Sequence, residues 1–409
     1  VNAKNANTFR SYAGGENGIL LLFAFIKLSI HFVTNALGGY GYFRDELYYL
    51  ACSDHLAFGY VDQPPFSIAM LWMSRMLFGD SLFVLRILPA MAGATVVVLA
   101  GLMARELGGK RFAQVLVATS AIIAPIYLGM NNYFSMNSFD TLFWTLAIYL
   151  LVRILRNNEQ HLWIWLGVVL GLGLENKISV LWLCAGIVAG LLLTPHRRFF
   201  KTKELWIAGF IAAVLFAPHI IWQMIHDWPI LEFMRNASAN KYAERSVVSF
   251  LREQIRMMHP LTIFIWLTGL IALFVAKSMR QYLLLGIIYL TVLLILLLNS
   301  TSKAEYLCAA YPMLFAAGAV VIEGFFERKV WKWAQVAVII LLLIGGAAVA
   351  PVVLPILPVE SYIGYAKKLG VGPSTTEKKQ LGNLPQFYAD MFGWENMAAT
   401  VARAYNKLT

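Results

Sequence analysis

The chain has 409 residues, 59% of them hydrophobic and only 13% charged, with 33 Lys and Arg against 22 Asp and Glu. Soluble domains carry roughly 25% charged residues, so this composition excludes an ordinary soluble domain and reads as a polytopic membrane protein. The net charge of +11 is what the positive-inside rule leaves on such a chain. With no basic and aromatic module beside it, the charge implies no nucleic-acid partner.

A bilayer core of about 30 Å needs roughly 20 helical residues per span, and by that measure about eleven spans are expected. They lie near 18–37, 82–104, 112–130, 138–155, 162–175, 178–194, 205–224, 260–276, 282–298, 305–323 and 333–354. The first lacks a strongly basic leader and a small-residue cleavage site, so it reads as a retained span. The fifth and sixth are short, and Glu175-Asn176-Lys177 between them reads as an outer loop or as a re-entrant point. The three cysteines, Cys52, Cys184 and Cys308, have no ligand-like spacing, so neither a disulfide framework nor a zinc site follows.

With the N-terminus inside, alternate loops gather the cations on the cytoplasmic face. These are Arg105, Lys110 and Arg111; Arg153 and Arg156; Arg197, Arg198, Lys201 and Lys203; Lys277 and Arg280; and Arg328, Lys329 and Lys332. The outer face then receives a first loop at 41–80 with juxtamembrane helices, a second large loop at 226–259, and the segment 299–305. Pro351, Pro355 and Pro358 close a membrane domain at 1–357 and lead into a polar segment, 358–409, expected to be a small extracytoplasmic α/β unit.

Ionisable groups near apolar runs are costly and mark cavities or pathways, and here they cluster on the outer face. The stretch GYFRDELYYLACSDHLAFGYVDQPPF, Gly41 to Phe66, holds Arg44, Asp45, Glu46, Asp54, His55 and Asp62. Asp45 and Glu46 are adjacent, which separates them by about 100° on a helix, while Asp45 shares a face with Tyr48 and Tyr49. Alone, this reads as an interfacial helix with a tyrosine belt. Farther along stand Asp140, Lys177, Lys303 and Glu305. Each has a local reading: Asp140 completes a capping box with Asn137 at the N-cap, Lys177 neutralises Glu175 or snorkels, and Lys303 is a loop lysine. Together, acids and lysines on one face read as a site for an anionic, membrane-borne substrate and a hydroxyl partner.

In chain order, YFRDELYYL, VDQPPF, MNSFDTLFWTLAIYLLVR, GLGLENKISVLWL and SKAEYLCAAYPML resemble the bacterial branch of the protein O-mannosyltransferase-like glycosyltransferases (glycosyltransferase family 39-like), relatives of the aminoarabinose transferases that modify lipid A. The resemblance spans roughly residues 18–325. PHIIWQMIHDWPILEF, from Pro218 to Phe233, also looks like this branch. LPQFYADMFGWENMAATVARAYNKL resembles the beginning of a periplasmic domain that relatives usually continue, so a truncated C-terminal domain is expected.

The resemblance implies a GT-C fold in the bacterial cytoplasmic membrane, with the N-terminus inside and the active site facing outward. It implies an inverting hexosyl- or pentosyltransferase that moves a sugar from a polyprenyl-phosphate donor to a hydroxyl on a protein, a lipid A-like glycolipid or an envelope glycan. Such a displacement needs a carboxylate to take the acceptor proton and cations to stabilise the departing phosphate. Asp45 matches the family's catalytic position, and Glu46 is placed beside it as the second catalytic carboxylate. Lys177 and Lys303 match lysine-bearing motifs and suit the phosphate, while Arg44, Tyr48, Tyr49, Asp62, Asp140 and Glu305 complete the substrate-binding set. Some relatives bind a divalent ion, for which His55 and Glu46 are the candidate ligands, but no closed ligand spacing is present. Two other classes stay open: a transporter or flippase of lipid-linked sugars, which would be expected to show internal repeats, and a surface polysaccharide polymerase or ligase.

Overall fold

The computed structural model describes residues 18–326 and 331–408; Arg328 and Lys329, two of the expected cytoplasmic cations, lie outside the described residues. The architecture is all-helical: among the described residues the only β pairing is an isolated antiparallel bridge between Tyr242 and Glu377. Each of the eleven expected spans coincides with a helix or a broken helix. Seven helices are long and apolar enough to cross a bilayer, and two bent pairs bring the number to nine among the described residues. Arg111–Ile123 and Leu162–Asn176 are apolar but shorter. Pro125 accounts for the first, because it opens a separate helix, Pro125–Met130, after a break at Ala124.

Close backbone approach builds the bundle where side chains are small. Gly269 and Gly318 face each other across Ile263–Val275 and Tyr311–Phe326, and a Cβ on Gly318 would lie 1.9 Å from the Ile265 carbonyl oxygen. In the same way, Gly167 on Leu162–Asn176 lies against Ala208 of Lys203–Ile225. Lys332–Val353 is peripheral by comparison, with most of its surface outside the protein interior.

One end of the bundle gathers the basic loops. Arg156 donates to the Arg105 and Glu106 carbonyls, the Tyr282 hydroxyl donates to the Glu106 carbonyl, and His196 meets the Gln281 carbonyl. The opposite end carries Arg44–Ser53, Phe66–Phe78, Pro229–Asn236 and Val247–Met257. The stretch after Pro358, where the sequence suggested an α/β unit, forms the helices Val359–Lys368, Gln386–Ala389 and Trp394–Leu408 with no strand among the described residues. It docks on the first loop: Tyr362, Tyr388 and Met391 form a small apolar core with Tyr40 and Phe43. The Tyr40 hydroxyl donates to the Leu357 carbonyl at 2.8 Å.

Candidate active site

Arg44–Ser53 begins at Phe43, whose backbone is extended, and the side chain of Glu46 returns to accept from the Phe43 N–H at 2.8 Å. That reach-back, placed three residues into the helix, satisfies one of the amides that a helix start leaves open. The same carboxylate takes two hydrogen bonds from Arg86, Nε at 2.9 Å and Nη2 at 2.7 Å, and one from the Phe134 N–H at 2.8 Å. Glu46 is 0% exposed. Its two oxygens hold four donors, so the catalytic role expected for it is corrected to an architectural one. It ties the first loop to Arg86 and to the turn before Met136–Asn157.

Asp45 points the other way, as the 100° turn between neighbours requires. Its side chain is 45% exposed. Oδ1 accepts from Arg44 Nε at 3.0 Å, while Oδ2 has no hydrogen bond or ion pair among the described residues. Arg44 is not free to receive a substrate, because its other nitrogens bind Asp390 at 3.0 Å and Glu377 at 3.4 Å. Its expected binding role becomes one of orientation: three carboxylates from the first loop and the C-terminal segment share one guanidinium. Glu377 also binds Lys379 at 3.0 Å and Lys241 at 3.5 Å. Burial works to raise its carboxyl, but Lys379, Arg44 and Lys241 outweigh that effect and hold it at about 2.

The Tyr48 hydroxyl donates to Asp62 Oδ1 at 2.7 Å. Burial pushes Asp62 above the usual carboxylate range and the nearby Asp45 charge adds to it, against the Tyr48 hydrogen bond and Lys241. Tyr49 is buried, and its hydroxyl accepts from the Met136 N–H at 3.1 Å. It therefore supports the wall behind Asp45. Pro64 and Pro65 end the loop where Phe66–Phe78 begins.

Three lysines, Lys177, Lys241 and Lys303, stand over tyrosine rings. Lys177 lies 4.9 Å from the Tyr306 centroid, and Lys303 lies 5.0 Å from that of Tyr242. Lys177 follows the end of Leu162–Asn176 in extended conformation and is 8% exposed. It meets Asp140 at 3.3 Å and donates to Asn137 Oδ1 at 2.8 Å, while Ser179 donates to the other Asp140 oxygen at 2.8 Å. Asn137 and Asp140 thus serve Lys177, and the N-cap of Met136–Asn157 is Ser135, not Asn137. Lys303 is more loosely held, 3.7 Å from Glu305. Burial works against its ammonium, but Glu305, Tyr242, Glu377 and Asp45 together hold it above its ordinary value. Asp45 and Lys303 therefore share one electrostatic neighbourhood.

A groove of about 450 Å³ is lined by Val61, Phe233, Glu232, Asn236, Asn240 and Lys241, among others. As metal ligands, Glu46 and His55 do not meet the need: Glu46 is saturated, and His55 is exposed beyond the far end of the helix that carries Asp45. Among the described residues no group of three His, Cys, Asp or Glu could hold an ion. Sequence reasoning missed Arg86, Lys241, Tyr242, Tyr306, Glu377 and Asp390. The outward reach of 226–259, the polar character of the last segment and, for Tyr306, its place in SKAEYLCAAYPML were the signals for some of these.

Residues 62–222 match the family model for dolichyl-phosphate-mannose-protein mannosyltransferase, a stretch that includes Asp62, Asp140 and Lys177. No curated protein matches the sequence. The fold is similar to that of ArnT from Cupriavidus metallidurans bound to undecaprenyl phosphate, with TM-score 0.64 and 15% identity over 84% of this chain and 67% of that one. The apo state of the same protein gives TM-score 0.62 at 16% identity, over 83% of this chain and 66% of that one. The archaeal oligosaccharyltransferase AglB from Archaeoglobus fulgidus, in complex with an inhibitory peptide and a dolichol-phosphate, gives TM-score 0.54 at 13% identity, over 88% of this chain and 56% of that one. The chain spans about two thirds of the length of the ArnT structures. It is a polytopic membrane protein with the GT-C fold of ArnT, and it resembles the glycosyltransferases of the ArnT and protein O-mannosyltransferase type.

Proposed function

We propose that this protein is an inverting glycosyltransferase of the bacterial cytoplasmic membrane, taking its sugar from a polyprenyl-phosphate donor on the outer face. The observation that carries the reading is Asp45. It is a half-exposed carboxylate with one oxygen clamped by Arg44 and the other open among the described residues, in the field of Lys303, which stands 3.7 Å from Glu305. In the reaction, Asp45 Oδ2 takes the proton of an acceptor hydroxyl as its oxygen attacks the anomeric carbon. The bond from that carbon to the phosphate oxygen breaks, and polyprenyl phosphate leaves as a monoester with added negative charge. Lys303 stabilises that charge. Lys177, already engaged by Asp140 and Asn137, shapes the wall on which Tyr306 and Tyr242 stand. In this reading the groove lined by Val61, Phe233 and Lys241 receives the hydroxyl acceptor, and Glu305 keeps Lys303 in place.

The test is an assay on protein purified in lipid, supplied with a panel of polyprenyl-phosphate sugars and an envelope extract as acceptor, with mass spectrometry following free polyprenyl phosphate. Release with one donor, lost in Asp45→Asn, is the expected result. Release that survives Asp45→Asn at near-normal rate would overturn the assignment of the base. No release with any donor would overturn the transferase reading.

A further inference from the structure

At the end of the bundle away from Asp45, Val180–Leu192 breaks into a short helix, Pro195–Lys201, at an angle of 107°. Val180 lies three residues beyond Lys177, and the 13 residues to Leu192 cover about 20 Å, so this corner is a different place from the candidate active site. The short helix is anchored. Thr194 accepts from the His196 N–H, His196 meets the Gln281 carbonyl at 2.9 Å, and buried Phe199 stands edge-on to Trp163.

On this ledge a cavity of about 370 Å³ is lined by Leu192, Pro195, Arg197, Arg198, Phe200 and Lys201. The three cations are exposed and have no carboxylate partner among the described residues. Among the described residues, three acids of this end are engaged elsewhere: Glu159 by Arg153, Glu106 by Arg156, and Glu323 by the Lys110 and Ala113 amides. Glu204, in the first turn of the next helix, pairs with none of them. Beside the cavity, Leu193, Trp206 and Phe210 present apolar surface, exposed 72%, 63% and 70%.

We propose that this cavity is a binding site for the phosphodiester headgroup of an acidic phospholipid. Two guanidiniums and an ammonium supply donors for phosphate oxygens. Leu192, Pro195 and Phe200 wall the cavity with carbon, and the exposed aromatic residues beyond continue that surface along the acyl chains. A free phosphate would use the cations but gain nothing from the apolar wall, whereas a lipid uses both. Basic pockets at the ends of membrane helices are suited to such headgroups.

The test reconstitutes the full chain in phosphatidylcholine nanodiscs, with or without phosphatidylglycerol, and counts retained lipids by native mass spectrometry. Wild type should retain phosphatidylglycerol over phosphatidylcholine. R197A/R198A/K201A should lose about a hundredfold in apparent affinity, at roughly fivefold per removed cation. R197K/R198K keeps the charge and is the control if the triple variant misfolds; it should retain the preference at reduced affinity, because the ammonium lacks the planar fork. Asp45→Asn should retain the lipid as wild type does, so loss of transfer leaves this result readable. Equal retention in wild type and the triple variant would overturn the proposal, as would equal retention of phosphatidylcholine. Displacement of the lipid by millimolar inorganic phosphate would assign the cavity to a free anion instead.

Discussion

Asp45 and Glu46 are consecutive acids on one short helix, and the fold treats them in opposite ways. Glu46 is sealed, with Arg86 fitted against both its oxygens and two backbone amides closing the rest. Asp45 is half-exposed, with one oxygen held and one open. The difference comes from helix geometry: a rotation of about 100° per residue turns one carboxylate into the core and leaves its neighbour half-exposed. A buried ion pair fixes an arrangement but stabilises little against an apolar alternative. An exposed carboxylate keeps the freedom to exchange a proton.

The largest effect should follow from breaking the sealed partner. Glu46→Ala strands Arg86 and two amides in a closed space, so stability should fall by about 3–5 kcal/mol, measured as unfolding of the purified protein in detergent. Replacing both partners, as Glu46→Leu with Arg86→Met, should recover only part, because the Phe43 and Phe134 amides remain without acceptors at about 1–3 kcal/mol each. Full recovery would show that those amides carry no weight. Asp45→Asn should do the reverse, lowering transfer by about a hundredfold or more while leaving unfolding within about 0.5 kcal/mol of wild type. A large loss of stability there would place Asp45 with Glu46 as an architectural residue.

The two lysines sharpen the same contrast on a smaller scale. Lys303→Met should weaken binding of a polyprenyl phosphate by about tenfold or more, the range of a hydrogen bond to a charged group, with little change in stability. Lys177→Met should act mainly on stability, since it leaves Asp140 buried beside Ser179 without its cation. If both variants lost affinity equally, Lys177 would have to touch the phosphate as well.

The fold was largely legible because span length and apolar runs are local properties of the chain. The eleven runs fell on helices, and the break before Lys177 lies where Glu175-Asn176-Lys177 interrupts two apolar stretches. The candidate site was legible as a set of residue types, but the contacts that divide those residues were not. Asp45 and Glu46 look alike in sequence, and Arg86, 40 residues away, and the Phe134 amide, 88 residues away, mark Glu46 as the buried one. Arg44 looked like a substrate-binding residue because Glu377 and Asp390 lie more than 300 residues downstream, on a segment whose docking depends on Tyr362, Tyr388 and Met391 meeting Tyr40 and Phe43. Asn137 looked like a helix cap, but Ser135 begins the helix and frees Asn137 to hold Lys177.

That distant docking gives the smallest and most specific prediction. Glu377 is held at about 2 from an ordinary 4.5, so in the folded state it binds fewer protons than in the unfolded state between those values. Its stabilising contribution is therefore complete above pH 4.5 and is lost as pH falls toward 2. Because Glu377 joins Lys241, Lys379 and Arg44, its protonation should loosen the C-terminal segment from the first loop before the bundle unfolds. Protection of the segment around 370–385 from an acid-active protease should hold at pH 5 and decline below about pH 4 in wild type. Glu377→Gln should show weaker protection at pH 5 and a flatter decline, since the group whose charge sets the slope is gone. An acid decline of the same steepness in Glu377→Gln would assign the transition to other carboxylates and leave Arg44 to be oriented by Asp390 and Asp45 alone.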